Sequence, residues 1–590
     1  MKARTTLIFA VIALILAGVV LLDYKKGTTT EKQREQSRRL LTLNADDVTR
    51  VEVALTNLTL VVEKSGERWQ IKRPIDYRAD TGSISSIIDG LEFADKDRTL
   101  TEQDLAGMNL GELGLTAPRA KITLTTKTGP IVVLIGAETP TKNAVYVQVE
   151  GRKEVYVTNK SIFNRVARPL TDFRDRTLMD FDPALANRVE LKNAERVAEL
   201  TRAGGTNGEQ LWSLVRPLAT RADQAAVSGL LNGLAGLRVV NFVSDDPKDL
   251  HTYRLNEPAR EITVSKSGSE GVLTLLVSAP LTNDASKVYA KLKNSDAIFT
   301  INLADIQRSD LPVADLRDRR VLAFNDPDVQ GIEIQRGTDR LVLARTNDQW
   351  RVTVPVTEEA DAKRVGDLLA NLRGLRAEQF AADVATDLEK YGLAVPQVIV
   401  KLQGSGTNVV GQLLVSAPAA TNTVSYVKRE SEPFIYGVAG SFVGSLPGDH
   451  WALRSRRVAD LTAAKISKIE IVRPAGKLIV ARDPAARWRL VEPAQGVLDI
   501  DGVDILADVL ARLDAEEFRS AKPVALNQPD HTFTITAGDK TVTLALAGTE
   551  AAWSEPNLSF SLPAPTAQTL TKDLLAAPAT TNQPPPQAGK

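Results

Sequence analysis

The chain has 590 residues, 43% of them hydrophobic and 25% charged, an ordinary globular composition that excludes a disordered or fibrous protein and leaves room for roughly four domains. Its 73 basic and 73 acidic residues cancel, which argues against nucleic acid as the main ligand, because that partner needs a clustered positive excess. There is no cysteine, so disulfides, thiol catalysis, iron–sulfur clusters, cysteine-ligated zinc and a lipid-modified N-terminal cysteine are excluded.

The first element is a run without charge, Leu7 to Leu22, preceded by Lys2 and Arg4 and followed by Asp23, Tyr24, Lys25 and Lys26. With Thr5 and Thr6 it spans about 27 Å as a helix, close to the ~30 Å hydrocarbon core of a bilayer. It is apolar on every side and ends without an Ala-x-Ala cleavage site. Residues 1–26 therefore read as an uncleaved transmembrane anchor, held in membrane lipid through Leu7–Leu22, in preference to a secretory signal. The flanking basic residues are balanced and give no direction under the positive-inside rule. A short tail left in the cytoplasm places the bulk of the chain on the far side, as the periplasmic part of a single-pass cell-membrane protein. Residues 27–37, which open on Gly27-Thr28-Thr29-Thr30, read as a stalk.

A unit of roughly 140 residues then recurs four times. Tryptophans stand at Trp69, Trp212, Trp350 and Trp488, spaced by 143, 138 and 138 residues. Five residues after each comes a proline, Pro74, Pro217, Pro355 or Pro493, and six further on an aspartate, Asp80, Asp223, Asp361 or Asp499. A helical pattern with one apolar face follows: Ile84, Ile87, Ile88 and Leu91 in the first copy, Val227, Leu230, Leu231 and Leu234 in the second. Val365, Leu368, Leu369 and Leu372 repeat it, as do Val503, Leu506, Ala507 and Leu510. Each copy also carries a Leu-x-x-Pro, at Leu115, Leu255, Leu393 and Leu526. Upstream of each tryptophan lies an alternating strand pattern such as Val51-Glu52-Val53.

In the first unit, strands are expected at Val48–Leu55 and Thr59–Glu63, then the tryptophan strand and the helix. After the Leu-x-x-Pro loop come strands at Lys121–Thr126, Ile131–Gly136, Val145–Glu150 and Glu154–Thr158, and a second short helix near Ser161–Leu170. This is an α+β fold: four tandem repeats behind the transmembrane helix, each a mainly antiparallel sheet with one amphipathic helix and a second short one. The repeats are placed at 38–174, 175–317, 318–454 and, shortened, 455–576. Residues 577–590, with Pro584-Pro585-Pro586, cannot build a core and read as a disordered tail.

The markers read as structural. The tryptophan alternates with Ile71, Leu214, Val352 or Leu490, as a core residue on a strand does, in preference to a sugar-stacking face. The proline ends that strand because it has no N–H for the ladder. The aspartate reads as the helix N-cap, worth about 1 kcal/mol. The glutamates between apolar strand residues face away from the core. The junctions carry Arg174-Asp175-Arg176, Arg317-Asp318-Arg319 and Arg454-Ser455-Arg456, with Arg38-Arg39 at the head of the first unit. Two readings stay open for them: exposed turns worth under ~1 kcal/mol, or ion pairs that fix the angle between neighbours.

No catalytic, cofactor or metal motif emerges. His251, His450 and His531 occupy unrelated positions of the repeat and form no His-x3-His pair. Gly476-Lys477 has Ile471 where a phosphate loop needs its first glycine, and Gly440-Ser441 is not followed by the glycine of a nucleophile elbow.

An apolar N-terminus followed by Trp-x4-Pro-x5-Asp, a helix and Leu-x-x-Pro resembles the bacterial domain of unknown function 4340 family. The cues are Trp69 to Pro74, Ala79-Asp80, Ile87-Ile88 and Leu115 to Pro118, with three echoes across residues 38–576. The resemblance implies a single-pass membrane protein encoded beside a gliding-motility-type ABC transporter and its auxiliary extracytoplasmic subunit, and it supplies no catalytic residues. The expectation is a non-enzymatic, membrane-anchored scaffold or accessory subunit of an ABC-type transport system, with the permease or auxiliary subunit as partner. The alternative is an envelope-glycan binding protein or glycoside hydrolase whose carboxylate pair is assembled only in the fold.

Overall fold

The computed structural model describes residues 37–576, apart from 205–209, 267–270, 419–422, 519–525, 527 and 556. The expected anchor at Leu7–Leu22, the stalk to residue 36 and the tail from 577 lie outside the described residues. Among the described residues no helix is long and apolar enough to cross a membrane. The chain divides between Asp318 and Arg319 into two compact units, each holding two repeats.

In the first repeat the chain enters the sheet at its centre. β1 (Val48–Leu55), β2 (Thr59–Ser65), β3 (Arg68–Arg73) and β4 (Tyr77–Arg78) step outward to one edge. α1 (Thr81–Glu92) carries the chain across to the far edge, where β5 (Arg98–Leu100) lies. The chain then returns to the centre as β6 (Ala120–Thr126), which pairs with β1, and meanders out through β7 (Gly129–Glu138), β8 (Ala144–Val149) and β9 (Val155–Asn159) to meet β5. The sheet order is β4-β3-β2-β1-β6-β7-β8-β9-β5, antiparallel throughout, and α2 (Ser161–Val166) follows. The second and third repeats have the same nine-stranded order.

The fourth sheet has eight strands, because the short strand before its helix, Val497–Leu498, pairs with the C-terminal Leu575–Ala576 instead. Sequence reading expected seven strands per unit. The two it lacks, β4 and β5, are two and three residues long, too short for a period-two pattern to show, and exist through pairing with β3 and β9.

One face of each sheet packs on its helix. In the first repeat Ile84, Ile87, Ile88 and Leu91 are buried on α1 and share a core with Val51, Trp69, Ile71, Ile122 and Val147. The i, i+3, i+4, i+7 spacing aims all four at the sheet, and each such burial contributes about 1.5–3 kcal/mol. The homologous four positions are the buried ones in the corresponding helices of repeats 2 and 3, and in repeat 4 they are buried together with Gly502 and Ala511. On the opposite face the strand glutamates form ion pairs: Arg188 Nη2 lies 2.6 Å from Glu190, Arg340 Nε 2.5 Å from Glu333 and Lys477 Nζ 2.7 Å from Glu470.

Candidate functional site

The four repeated tryptophans are all buried, at 5, 4, 8 and 5% exposure, so none offers a ring face for sugar stacking. Each follows or opens its strand's first residues, and that strand ends at the residue before the repeated proline. The bonds Arg73–Pro74, Arg216–Pro217, Val354–Pro355 and Glu492–Pro493 are all cis. The aspartates cap: Oδ1 of Asp80 accepts from Ser83 N at 2.7 Å, Asp223 from Ala226 at 2.9 Å, Asp361 from Lys363 at 2.9 Å and Asp499 from Gly502 at 3.0 Å. Their own N–H groups reach the ends of their repeats: Asp80 donates to Phe173 O, Asp223 to Leu316 O, Asp361 to Leu453 O and Asp499 to Leu574 O.

That second bond leads to the junctions. The segment linking repeats 1 and 2 is bonded on both sides. Asp175 N donates to Arg78 O in repeat 1, and three residues later Leu178 N donates to Leu237 O in repeat 2. Val239 N donates back to Arg176 O, and Arg176 Nη1 reaches Val240 O at 2.7 Å. In the second unit Ser455 N donates to Glu359 O, Val458 N to Leu513 O and Ala515 N to Arg456 O. No free linker separates neighbours at either place. The junction segment is bridged to both repeats at once.

The side chains decide between the two readings of the arginines. Arg174 is only 3% exposed. It forks onto Asp245 in repeat 2, with Nη2–Oδ1 at 2.6 Å and Nη1–Oδ2 at 3.1 Å. Its guanidinium lies 3.8 Å from the centre of the Phe242 ring and 4.2 Å from that of Tyr77, and those two rings meet edge to face at 5.7 Å. Tyr77 belongs to repeat 1 yet packs on the core of repeat 2. Burial raises its hydroxyl pKa against the charge of Arg174. Beside them Arg68 and Arg78 of repeat 1 both pair with Asp180 of repeat 2. Burial pushes the Asp180 carboxyl up, but these cations outweigh it and hold it below its ordinary value.

The second unit builds the same joint from other residues. Arg454, 9% exposed, bonds Glu358 (Nε–Oε2 2.8 Å) and lies 4.6 Å from the ring centre of Phe518 in repeat 4 and 5.2 Å from Trp451. The His450 ring lies 4.5 Å from that of Trp451, tilted by 36°, and brings Nε2 to 3.7 Å from Glu358. Burial raises Glu358 against the pull of Arg454, and lowers both Arg454 and His450. His450 also lines a cavity of about 380 Å³ with Arg336, Arg340, Asp339, Asp449 and Pro355.

The other histidines stand elsewhere. His251 opens a 3-10 turn and His531 opens a strand. Among the described residues no group of three or more histidine, aspartate or glutamate side chains is arranged to hold a metal. The signal for the joints was present in the sequence as Arg-x-Arg at each junction. Their partners Tyr77, Phe242, Asp245, Glu358 and Phe518 were not legible, since the residue types change from joint to joint.

The family model described as "Domain of unknown function (DUF4340)" matches residues 69–210, 212–386 and 350–531. Each match opens on a repeated tryptophan and runs across the junction that follows it. No curated protein matches the chain. Among solved structures it is similar to the beta subunit of DNA polymerase III from Pseudomonas aeruginosa, at 8% identity over 68% of this chain and 94% of that one, with a TM-score of 0.12. A sliding clamp of the same organism bound to griselimycin gives 10% identity over 65% and 93%, with a TM-score of 0.11. Neither score supports a shared fold.

Proposed function

The chain belongs to the DUF4340 family, and from that premise we propose that it is a non-enzymatic, membrane-anchored scaffold or accessory subunit of an ABC-type transport system, with its repeats outside the cytoplasm. The observation that carries the reading is the joint at Arg174. A buried guanidinium held by Asp245 and two aromatic rings, on a segment bonded to both neighbours, ties one repeat to the next. Such construction suits a protein that holds partners at set positions. The sequence carries no phosphate loop, so ATP-driven work belongs to the partner.

The location is tested by fractionation. Full-length protein stays with membranes through carbonate and high-salt washing, because the hold is apolar burial and not charge. Protease added to spheroplasts digests the repeats. Repeats protected in intact spheroplasts, or a mature N-terminus beginning after Leu22, contradict this topology.

A further inference from the structure

The joint between repeats 1 and 2 and the joint between repeats 3 and 4 share their backbone bonds but not their bracing. In the first, charges reach across. Arg174 forks onto Asp245 of repeat 2, and Arg68 and Arg78 of repeat 1 close together on Asp180 of repeat 2, Arg78 at 2.9 Å. Arg78 also lies 3.6 Å from Asp175 on the junction segment.

In the second, the charges stay on one side. Arg454, its acceptor Glu358 and the neighbouring His450 all belong to repeat 3. The side chains that cross are aromatic: Phe518 of repeat 4 lies 4.6 Å from the Arg454 guanidinium and 5.3 Å from the Trp451 ring. The positions of the first joint's clamp explain the difference. Leu178 bonds to Leu237 O as Val458 bonds to Leu513 O, so Asp460 is the counterpart of Asp180, and Ser455 that of Asp175. Counted from the tryptophan and the capping aspartate, Gln349 stands for Arg68 and Glu359 for Arg78. The carboxylate at 460 is kept and both of its cations are gone. Counted from the ring, Phe242 or Phe518, Ala521 stands for Asp245.

The second joint also encloses polar atoms that it does not satisfy. Oε1 of Glu358, Nε1 of Trp451 and Nη1 of Arg454 are shielded from solvent without a hydrogen-bond partner, whereas the first joint leaves Nε of Arg174 alone in that state. Water reaches such atoms when a joint opens, so opening the second joint regains hydration, while opening the first breaks ion pairs.

We infer that the joint between repeats 3 and 4 is a release point, at which repeat 4 parts from repeat 3 as a folded body and uncovers the Trp451 and Phe518 rings, while repeats 1 and 2 stay locked. The inference stands apart from the transport reading, since it rests on the comparison of the two joints alone.

Hydrogen exchange of the full-length protein in detergent reads each joint at one amide: Asp175 N–H, bonded to Arg78 O, and Ser455 N–H, bonded to Glu359 O. Corrected for intrinsic rate, Ser455 exchanges at least about tenfold faster than Asp175, while amides within the helix Ile500–Ala511 of repeat 4 stay protected. The clamp is then transplanted. Gln349→Arg and Glu359→Arg restore the cations, and Arg351→Gln, which copies Gln70, keeps a like charge from the position paired with 359. The triple variant slows exchange at Ser455 by about three- to tenfold, the range for two exposed ion pairs, and leaves Asp175 unchanged. Adding Asp460→Ala removes the gain. Equal protection of Ser455 and Asp175 in wild type overturns the inference, as does loss of helix protection in step with Ser455. No slowing in the triple variant, or slowing that survives Asp460→Ala, overturns it as well.

Discussion

Arg174, the last residue of the first repeat, and Asp245, in the second, share two hydrogen bonds although 71 residues separate them, and the arginine is buried while the aspartate is half exposed. The asymmetry sets what each contributes. Asp245 can be hydrated when its partner is lost, but Arg174 has nowhere else to turn. The pair is therefore a lock whose bolt is the arginine.

Arg174→Ala removes the fork and the guanidinium between Tyr77 and Phe242, and is expected to cost about 1–3 kcal/mol. Hydrogen exchange locates the loss: the amides of Asp175 and Leu178, which bond to repeats 1 and 2 respectively, lose protection, while the helix amides of both repeats keep theirs. Arg174→Lys behaves nearer to alanine than to wild type, because a point charge cannot reproduce the bidentate, ring-stacked geometry. Unchanged protection at Asp175 and Leu178 in both variants contradicts the lock.

Asp80→Ala removes the carboxylate that accepts from Ser83 N, and denaturant unfolding should show a loss of about 1 kcal/mol, with Asp80→Asn close to wild type. Trp69→Ala, in the core of the same repeat, should cost about 3–5 kcal/mol. If Trp69 were instead a surface contact, its replacement would leave the melting curve where it was.

These two predictions rest on residues whose roles the sequence made plain. Cap and core positions must be the same in every copy, because the backbone geometry they serve is the same, so fourfold repetition singled them out. The joints obey a different rule. Tyr77 has Glu358 as its counterpart in the third repeat, and the arginine of the joint is satisfied by Asp245 in one unit and by Glu358 in the other. Any acceptor and any flat ring serve, so no pattern persists for a sequence reading to find.

The second joint should respond to pH in two opposed ways. Burial holds the folded-state pKa of His450 below its ordinary value of 6.5, so the unfolded chain takes up the proton first and stability is lost as pH falls below that value. Burial raises Glu358 above its ordinary 4.5, so its contribution is present below that value and is lost as pH rises toward the folded-state pKa. His450→Gln should therefore gain melting temperature relative to wild type as pH falls below about 6.5, and Glu358→Gln should gain relative to wild type as pH rises above about 4.5. Variant-minus-wild-type differences that do not change with pH would count against both assignments.

The proposed anchor has its own test. Ile15→Arg places a charge in the middle of the apolar run, at an insertion cost of about 2.5–3.5 kcal/mol. A substantial share of the variant should be released by carbonate washing that leaves wild type in the membrane. Full retention of the variant would mean that something other than Leu7–Leu22 holds the protein there.

The role we propose for this chain is to serve a transporter without chemistry of its own. The most direct measurement is affinity purification of the full-length protein from membranes in several mild detergents, with the co-purifying proteins identified by mass spectrometry. The account predicts recovery of an ABC ATPase with its permease or an auxiliary extracytoplasmic subunit, reduced in the Arg174→Ala variant whose repeats no longer hold a fixed relation. Recovery of no transporter subunit in any of the detergents, from membranes that contain the wild-type protein, would contradict it.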